Sequence, residues 1–483
     1  MYRFAHCRSS RVATPLAFLL YLISCAATIA ADVSGPVTGG DRGKPFAAPD
    51  YDLARYGYVA EEFFLDGQAD AFELVPGTTQ GVDGRWQLQR KAERQPFRTR
   101  LLIVRPADDA AFNGTVVVHW QNVTAGYELG SVPEGELLRG FAWVGVSAQK
   151  VGIDGFPGPQ AAGLRQWDPQ RYGSLAHPGD DYSFDIFTQA ARAVAPRRPR
   201  QPVDPMGGLS VARLIASGGS QSAARLRAYI NGVHPQERIF DGFIPYIDLG
   251  RARAWSNEPA GNGPTDWANA RIRDDIETPV FIVNSETETE SYLGARQPDT
   301  DRFHFWEVAG TSHVSVPREA LLAIDTPLRP GVEMRGLDAP NYLSYRPAYE
   351  AAIRHMHRWL ISGDRPPSAP RIELNQDASP QIRRDENGNA YGGIRLPDFA
   401  VPLAEHRGWG STLDNGYRLG FLYGHARLFS TDKIRALYPT TNAYLADWDE
   451  SMRSAVEAGY VLAEDAPVMR ETARQWYESL TSR

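Results

Sequence analysis

Leu214-Ile215-Ala216-Ser217-Gly218-Gly219-Ser220-Gln221-Ser222-Ala223-Ala224-Arg225-Leu226 opens as an apolar strand, passes through a Gly-Gly-Ser turn and leaves as an Ala-rich helix. A serine held on so sharp a strand-to-helix turn adopts a strained backbone, and neighbouring side chains would collide there. Small residues are therefore required, and Gly218 and Gly219 supply them. Ser222 stands where the G-x-S-x-G pattern has its last glycine. It is still small, so the physical requirement holds although the pattern does not. The segment reads as a nucleophile elbow presenting Ser220.

Two more strands follow, each ending in a residue that such a serine needs. Thr278-Pro279-Val280-Phe281-Ile282-Val283-Asn284 runs into the acidic cluster Ser285-Glu286-Thr287-Glu288-Thr289-Glu290, and Phe303-His304-Phe305-Trp306-Glu307-Val308 runs into Ala309-Gly310-Thr311-Ser312-His313. Nucleophile, acid and histidine in that chain order, each at the carboxyl end of a strand, is the arrangement expected of an α/β-hydrolase. A serine hydroxyl is a poor nucleophile until an imidazole takes its proton, and the imidazole needs a carboxylate to fix its tautomer. His313 is the expected base. Glu288, a few residues past its strand, is the expected acid, with Glu286 in reserve and Glu290 a solvated loop residue. Among other histidines, His355 and His357 are two apart on a helix and so on different faces, where they read as surface or packing residues. His177, before Pro178-Gly179-Asp180, reads as part of a structural turn.

Around these motifs strand and helix signals alternate. Tyr58–Leu65, Arg98–Val104, Thr115–Trp120 and Ala142–Ala148 read as strands, the last two as continuous apolar runs buried on both faces. Phe184–Ala195 and Pro347–Leu360 read as helices. Alternation of this kind implies an α/β fold with a mostly parallel central sheet flanked by helices. The expected organisation is a core over residues 51–363 and a C-terminal extension over 364–483, with helices at Thr441–Gly459 and Ala466–Leu480. Few residues remain in the extension for an independent core, so it should pack on the body and can roof the pocket. Residues 32–50, rich in glycine and proline, read as a loose leader.

Residues 1–31 have a basic start, the apolar run Leu16-Ala17-Phe18-Leu19-Leu20-Tyr21-Leu22-Ile23 and small residues through Ala30-Ala31, the pattern of an export signal. The run is too short for a permanent transmembrane helix. Leu22-Ile23-Ser24-Cys25 also resembles a lipobox, which would make Cys25 a lipid anchor in place of cleavage near Ala30. The only cysteines, Cys7 and Cys25, lie in this segment, so the mature chain has no disulfide. Of two sequons, at Asn113 and Asn122, the second falls in a loop assigned below to the site, where a glycan would obstruct substrate; an unglycosylated, periplasmic or secreted protein is the better fit. Hydrophobic residues make up 42 % of the chain, charged residues 23 %, and the formal charge is −7, which gives no electrostatic reason to bind nucleic acid or an anionic membrane.

Acyl chemistry also needs donors for a developing oxyanion: the amide after the nucleophile and one from the loop after an early strand. Gln221 supplies the first. His119-Trp120-Gln121-Asn122-Val123-Thr124-Ala125-Gly126 should supply the second, from Gln121 or Asn122, with Asn122 preferred and Gln121 and His119 as pocket residues. Metal and dinucleotide chemistry lack their motifs: no H-E-x-x-H, no cysteine pair, no GxGxxG after a strand, and Asp385-Glu386-Asn387-Gly388-Asn389-Ala390 lacks the sixth-position glycine of a calcium loop. No cofactor is expected.

The chain resembles the alpha/beta hydrolase domain proteins of the α/β-hydrolase superfamily. The resemblance is carried by Tyr58–Phe64, Val116–Gly126, Gly140–Lys150, Asp168–Asp185, the elbow, and Gly388-Asn389-Ala390-Tyr391-Gly392-Gly393-Ile394-Arg395-Leu396-Pro397, which together span nearly all of the mature chain. It implies that the C-terminal extension belongs to the same family unit, and it leads one to expect an acidic residue where this chain has His119. Arg395, after two glycines, is a candidate for a carboxylate-bearing substrate, against the default of a solvent-exposed arginine. The expected activity is that of an exported serine hydrolase acting on a small-molecule carboxylic ester. Amide hydrolysis or acyl transfer by the same residues, and a non-catalytic binding protein on the same scaffold, are the alternatives.

Overall fold

The computed structural model describes residue 1 and residues 31–129, 133–158, 162–198, 201–253, 255, 267–316, 318, 340–410 and 419–482. The export segment, apart from its two end residues, and with it Cys7 and Cys25, lies outside the described residues. Among the described residues thirteen strands occur: β1 (Asp32–Ser34), β2 (Tyr58–Leu74), β3 (Leu88–Pro106), β4 (Thr115–Trp120), β5 (Ala142–Val146), β6 (Arg213–Gly219), β7 (Gly242–Tyr246), β8 (Arg251–Arg253), β9 (Trp267–Asn269), β10 (Val280–Ser285), β11 (Phe303–Val308), β12 (Ala404–Arg407) and β13 (His425–Leu428). Nine form one sheet in the order β1-β2-β3-β5-β4-β6-β7-β10-β11, while β8 pairs with β9 and β12 with β13. From β5 to β11 all neighbours are parallel; β1, β2 and β3 add an antiparallel edge.

Period-two alternation assigns side chains to two cores, one on each face of the sheet. Leu102, Val104, Val117, Trp143, Ile215, Phe281 and Val283 face one; Leu101, Ile103, Val116, Val118, Val144, Leu214 and Ile282 face the other. The helix Arg346–Ser362 covers the first through Ala348, Ala352, Ile353 and Met356. Ser183–Ala193 covers the second with Phe184, Ile186, Phe187 and Ala190, joined by Leu226 and Ala228 from the helix Gln221–Ala228. The chain steps from β4 out to β5 and returns to β6 on the other side of β4. That reversal is a topological switch point, and it places the carboxyl ends of β4 and β6 side by side where ligands bind in open α/β sheets.

The C-terminal extension has no core of its own. Ile372, Ile394, Phe399, Trp448 and Trp476 belong to the same cluster as Trp306 and Val308. The backbone of Ile394 pairs with β11, with Ala309 N–H donating to Ile394 O at 3.0 Å and Ile394 N–H to Glu307 O at 2.7 Å, so the extension prolongs the sheet's outer edge.

Two expectations are corrected. β2 and β3 run well beyond Leu65 and begin well before Arg98, because their outer halves are a polar ribbon. Cross-strand pairs such as Arg94–Asp70 (3.0 Å) and Arg98–Asp66 (3.3 Å) hold it together, and apolar alternation does not mark such a ribbon. Residues 32–50 are not loose. Val33 is buried and pairs with Leu65. Arg171 donates to the carbonyls of Val37 (2.7 Å) and Gly39 (2.6 Å), and Arg100 to that of Phe46. The Asp168 carboxylate accepts from the amides of Asp41 (3.0 Å) and Arg42 (2.9 Å). The glycines there shape turns that aim carbonyls at buried guanidinium groups, so composition alone misread a strap as a leader. The same two arginines bind Glu62, which also accepts from Tyr172 Oη at 2.8 Å, and Arg100 reaches Glu128 at 2.7 Å. Both ion pairs of Arg100 have fully buried side chains. Among the described residues, no helix is long and apolar enough to cross a membrane.

Candidate active site

β6 ends in Gly218 and Gly219, and Ser220 follows with φ 59° and ψ −120°, a left-handed backbone that a non-glycine residue rarely adopts. Its N–H donates to Tyr246 O at 3.1 Å, tying the turn to the end of β7. The two glycines answer to different neighbours. A Cβ at 218 would meet Ser222, and one at 219 would enter the ring of Tyr246. Gly219→Ala is therefore expected to push Tyr246 or the turn aside and to lower kcat/KM by about 10²-fold or more, the usual cost of misplacing a reacting group by about 1 Å. Turnover by the folded variant checks this.

Ser220 Oγ lies 2.8 Å from His313 Nε2, and His313 Nδ1 lies 2.6 Å from Glu288 Oε1. Glu288 is aimed by a capping box: the Ser285 N–H (2.9 Å) and Oγ–H (2.6 Å) both donate to Oε2, which leaves Oε1 for the histidine. With Nδ1–H donating to Glu288, the lone pair of Nε2 faces the serine hydroxyl, the tautomer that a general base needs. The structure thus brings together the three residues singled out in the sequence.

Glu286, the reserve acid, is placed elsewhere. Its carboxylate accepts from Arg384 (2.7 Å), Gly408 N–H (3.1 Å) and Gly310 N–H (2.7 Å), so it ties the histidine loop to the extension and leaves the imidazole to Glu288. Thr287 does similar work: its hydroxyl accepts from His313 N–H at 3.0 Å and donates to Gly408 O at 2.7 Å. Asn341 adds a third tie, donating to Gly310 O at 2.7 Å and Arg407 O at 3.2 Å. None of these positions carries a sequence motif, because their partners lie across long sequence separations.

The loop after β4 meets the elbow through Asn122, whose Nδ2 donates to Gly219 O at 3.0 Å and whose Oδ1 accepts from Thr124 N–H at 2.9 Å. Gln121 is excluded as an oxyanion donor, since its N–H is engaged by Val146 O at 3.2 Å as the sheet's last bond, and its side chain is buried. Of the two candidates in that loop, Asn122 is the one whose side chain reaches the elbow. Gln221 opens its helix, and the first amides of a helix have no carbonyl partner within it. Asp180 pairs with Arg225 (3.0 Å) on that helix and accepts from Gln149 (3.1 Å) and Lys150 N–H (2.9 Å), while His177 binds Ala148 O at 2.9 Å. That stretch is a brace for the elbow helix.

His119 and Arg395 do not line the site. Arg395 donates to Ala390 O and lies 4.5 Å over the Phe399 ring, within the extension's own packing. His119 is sealed beneath the elbow, 3.1 Å from Tyr246 Oη, with its ring against Trp143. Burial pushes its pKa down to about 3. Because the unfolded chain takes up this proton near pH 6.5 and the folded chain does not, His119 makes stability fall as pH drops from about 6 toward 4. One such proton is worth about 1.4 kcal/mol per pH unit. The slope of unfolding free energy against pH in that window should be shallower by this amount in His119→Gln, measured by urea titration at each pH. Among the described residues, no group of three or more histidines, cysteines or carboxylates is arranged to hold a metal ion.

A family model described as "Alpha/beta hydrolase domain" matches residues 33–471. No curated protein matches the chain in sequence. Among solved structures, a prolyl endopeptidase is similar at 10 % identity and a TM-score of 0.27, over 54 % of this chain and 36 % of that one. Esterase Est22 is similar at 13 % identity and a TM-score of 0.24, over 48 % and 66 %. Prolyl oligopeptidase B from Galerina marginata is similar at 9 % identity and a TM-score of 0.26, over 48 % and 36 %. The chain thus spans less than two thirds of the length of each of these three.

Proposed function

The chain belongs to the alpha/beta hydrolase domain family, and from that membership we propose that it is an exported serine hydrolase cleaving carboxylic esters through an acyl-enzyme. The observation that supports this reading is the hydrogen-bonded chain from Ser220 through His313 to Glu288, at 2.8 and 2.6 Å. Ser220 Oγ attacks the ester carbonyl carbon as its proton passes to His313 Nε2. The imidazolium is held by Glu288, and the oxyanion by the N–H groups of Gln221 and Asn122. Collapse breaks the bond from carbon to the alcohol oxygen, which leaves with the proton from Nε2. Water, deprotonated by the same nitrogen, then adds to the acyl carbon, and collapse returns the proton to Ser220 and releases the carboxylic acid. Export rests on the basic start and apolar run of residues 1–31, with lipidation at Cys25 as the variant of that route.

The test is intact-mass analysis of the purified protein after exposure to a fluorophosphonate, with peptide mapping. A single adduct on Ser220, absent from Ser220→Ala, is the expected result. A folded protein that takes no label would overturn the proposal in favour of a non-catalytic binding protein.

A further inference from the structure

The acyl mechanism fixes which side of the site receives the alcohol half of the substrate. His313 Nε2 must hand its proton to the departing oxygen, so the substituent on that oxygen lies beside the imidazole, on the side away from Glu288. An aromatic ring packs against the imidazole: the half-buried ring of Phe421 lies 4.9 Å from it, tilted by 39°. Trp409 lies 5.1 Å from Phe421 at 66°, so the two rings form a corner. Trp409 is held in place, because its indole N–H donates to Thr287 O at 2.9 Å, and the preceding Gly408 is fastened by its own N–H to Glu286 and by its O to Thr287.

Trp409 nonetheless keeps 37 % of its surface exposed, whereas Trp120, Trp306 and Trp448 are fully buried. With the indole N–H satisfied, what remains open is an apolar ring face, fixed against the loop that carries Glu288 and within reach of a flat ligand. Among the described residues the neighbouring charges are paired: Glu286 with Arg384, Glu288 with His313, and Arg407 with Glu405. The corner suits a flat ring that stacks on one wall and meets the other edge-on.

We propose that Trp409 and Phe421 form the alcohol subsite and select esters of aromatic alcohols. This rests on the serine-hydrolase reading above. Benzyl acetate and cyclohexylmethyl acetate share the acyl group and present alcohols of similar size and basicity, differing in whether the ring is flat and aromatic. The purified protein should favour the benzyl ester by roughly tenfold in kcat/KM, the scale of one or two aromatic contacts. In Trp409→Ala and in Phe421→Leu that ratio should fall close to one, while Trp409→Phe keeps most of it. A ratio taken within one preparation does not depend on how much of that preparation is folded.

Equal rates on the two esters in the unmodified protein, or a preference that survives both Trp409→Ala and Phe421→Leu, would overturn the subsite. So would a protein that takes the fluorophosphonate on Ser220 but hydrolyses neither acetate, and in that case the serine-hydrolase reading stands. Absence of the label overturns both.

Discussion

Alanine at position 220 is expected to cut turnover by about 10⁶-fold while leaving the unfolding free energy within about 0.5 kcal/mol of the unmodified protein. On the proposed mechanism the loss is large because Ser220 and His313 act as one unit, and an imidazole with no hydroxyl to deprotonate contributes nothing to attack. A residual acceleration of about 10³–10⁴ over water should remain from the oxyanion donors and substrate binding. Glycine at the same position separates chemistry from strain. Alanine keeps the Cβ that makes φ 59°, ψ −120° unfavourable; glycine removes it, relieving about 1–3 kcal/mol of strain against about 0.5–1 kcal/mol of extra chain entropy. Ser220→Gly should thus be as inactive as Ser220→Ala yet more stable, by about 1 kcal/mol in urea unfolding. Equal stability of the two would mean that the turn is not strained.

Replacing Arg100 with methionine should lower the unfolding free energy by about 3–5 kcal/mol. Its two carboxylate partners, Glu62 and Glu128, are fully buried. Without Arg100, Glu62 keeps Arg171 and Tyr172, but Glu128 loses its ion-pair partner. Thermal scans will understate the effect, since unfolding entropy grows with length and a chain of this size loses only about 1 °C per kcal/mol; denaturant titration reads it directly. The pH dependence follows in sign. Burial already raises the pKa of Glu128 against the pull of Arg100, and removing the arginine raises it further. The folded variant then takes up a proton that the unfolded chain does not yet bind. The deficit should accordingly shrink as pH falls from 8 toward 5. Activity should suffer beyond stability, because Glu128 sits in the loop that carries Asn122, where Leu129 N–H donates to Asn122 O at 2.9 Å.

Legibility differed by kind of interaction. Thr115–Trp120 and Phe303–Val308 were readable to the residue, because both faces of these strands are buried. Ser220, Glu288 and His313 were readable because each sits at a strand end, and local turn chemistry there constrains residue type. The polar ribbon of β2 and β3, the clamped strap 32–50 and the ties from Glu286, Thr287 and Asn341 were not. Each depends on a partner far away in sequence, and an arginine or asparagine looks the same whether it meets water or a buried carbonyl. The preference for Asn122 over Gln121 lacked its reason in the sequence, because which amide a sheet consumes is a matter of register.

The acid and histidine loops are fastened by Arg384, Gly408 and Leu422, the last accepting from Val314 N–H at 2.7 Å. A chain made from its amino end therefore carries Ser220, Glu288 and His313 while it is extended from His313 to Leu422, before all of those fastenings exist. On the proposed mechanism the assembled Ser220–His313–Glu288 chain is thus a late product of synthesis, waiting on residues more than a hundred positions beyond His313.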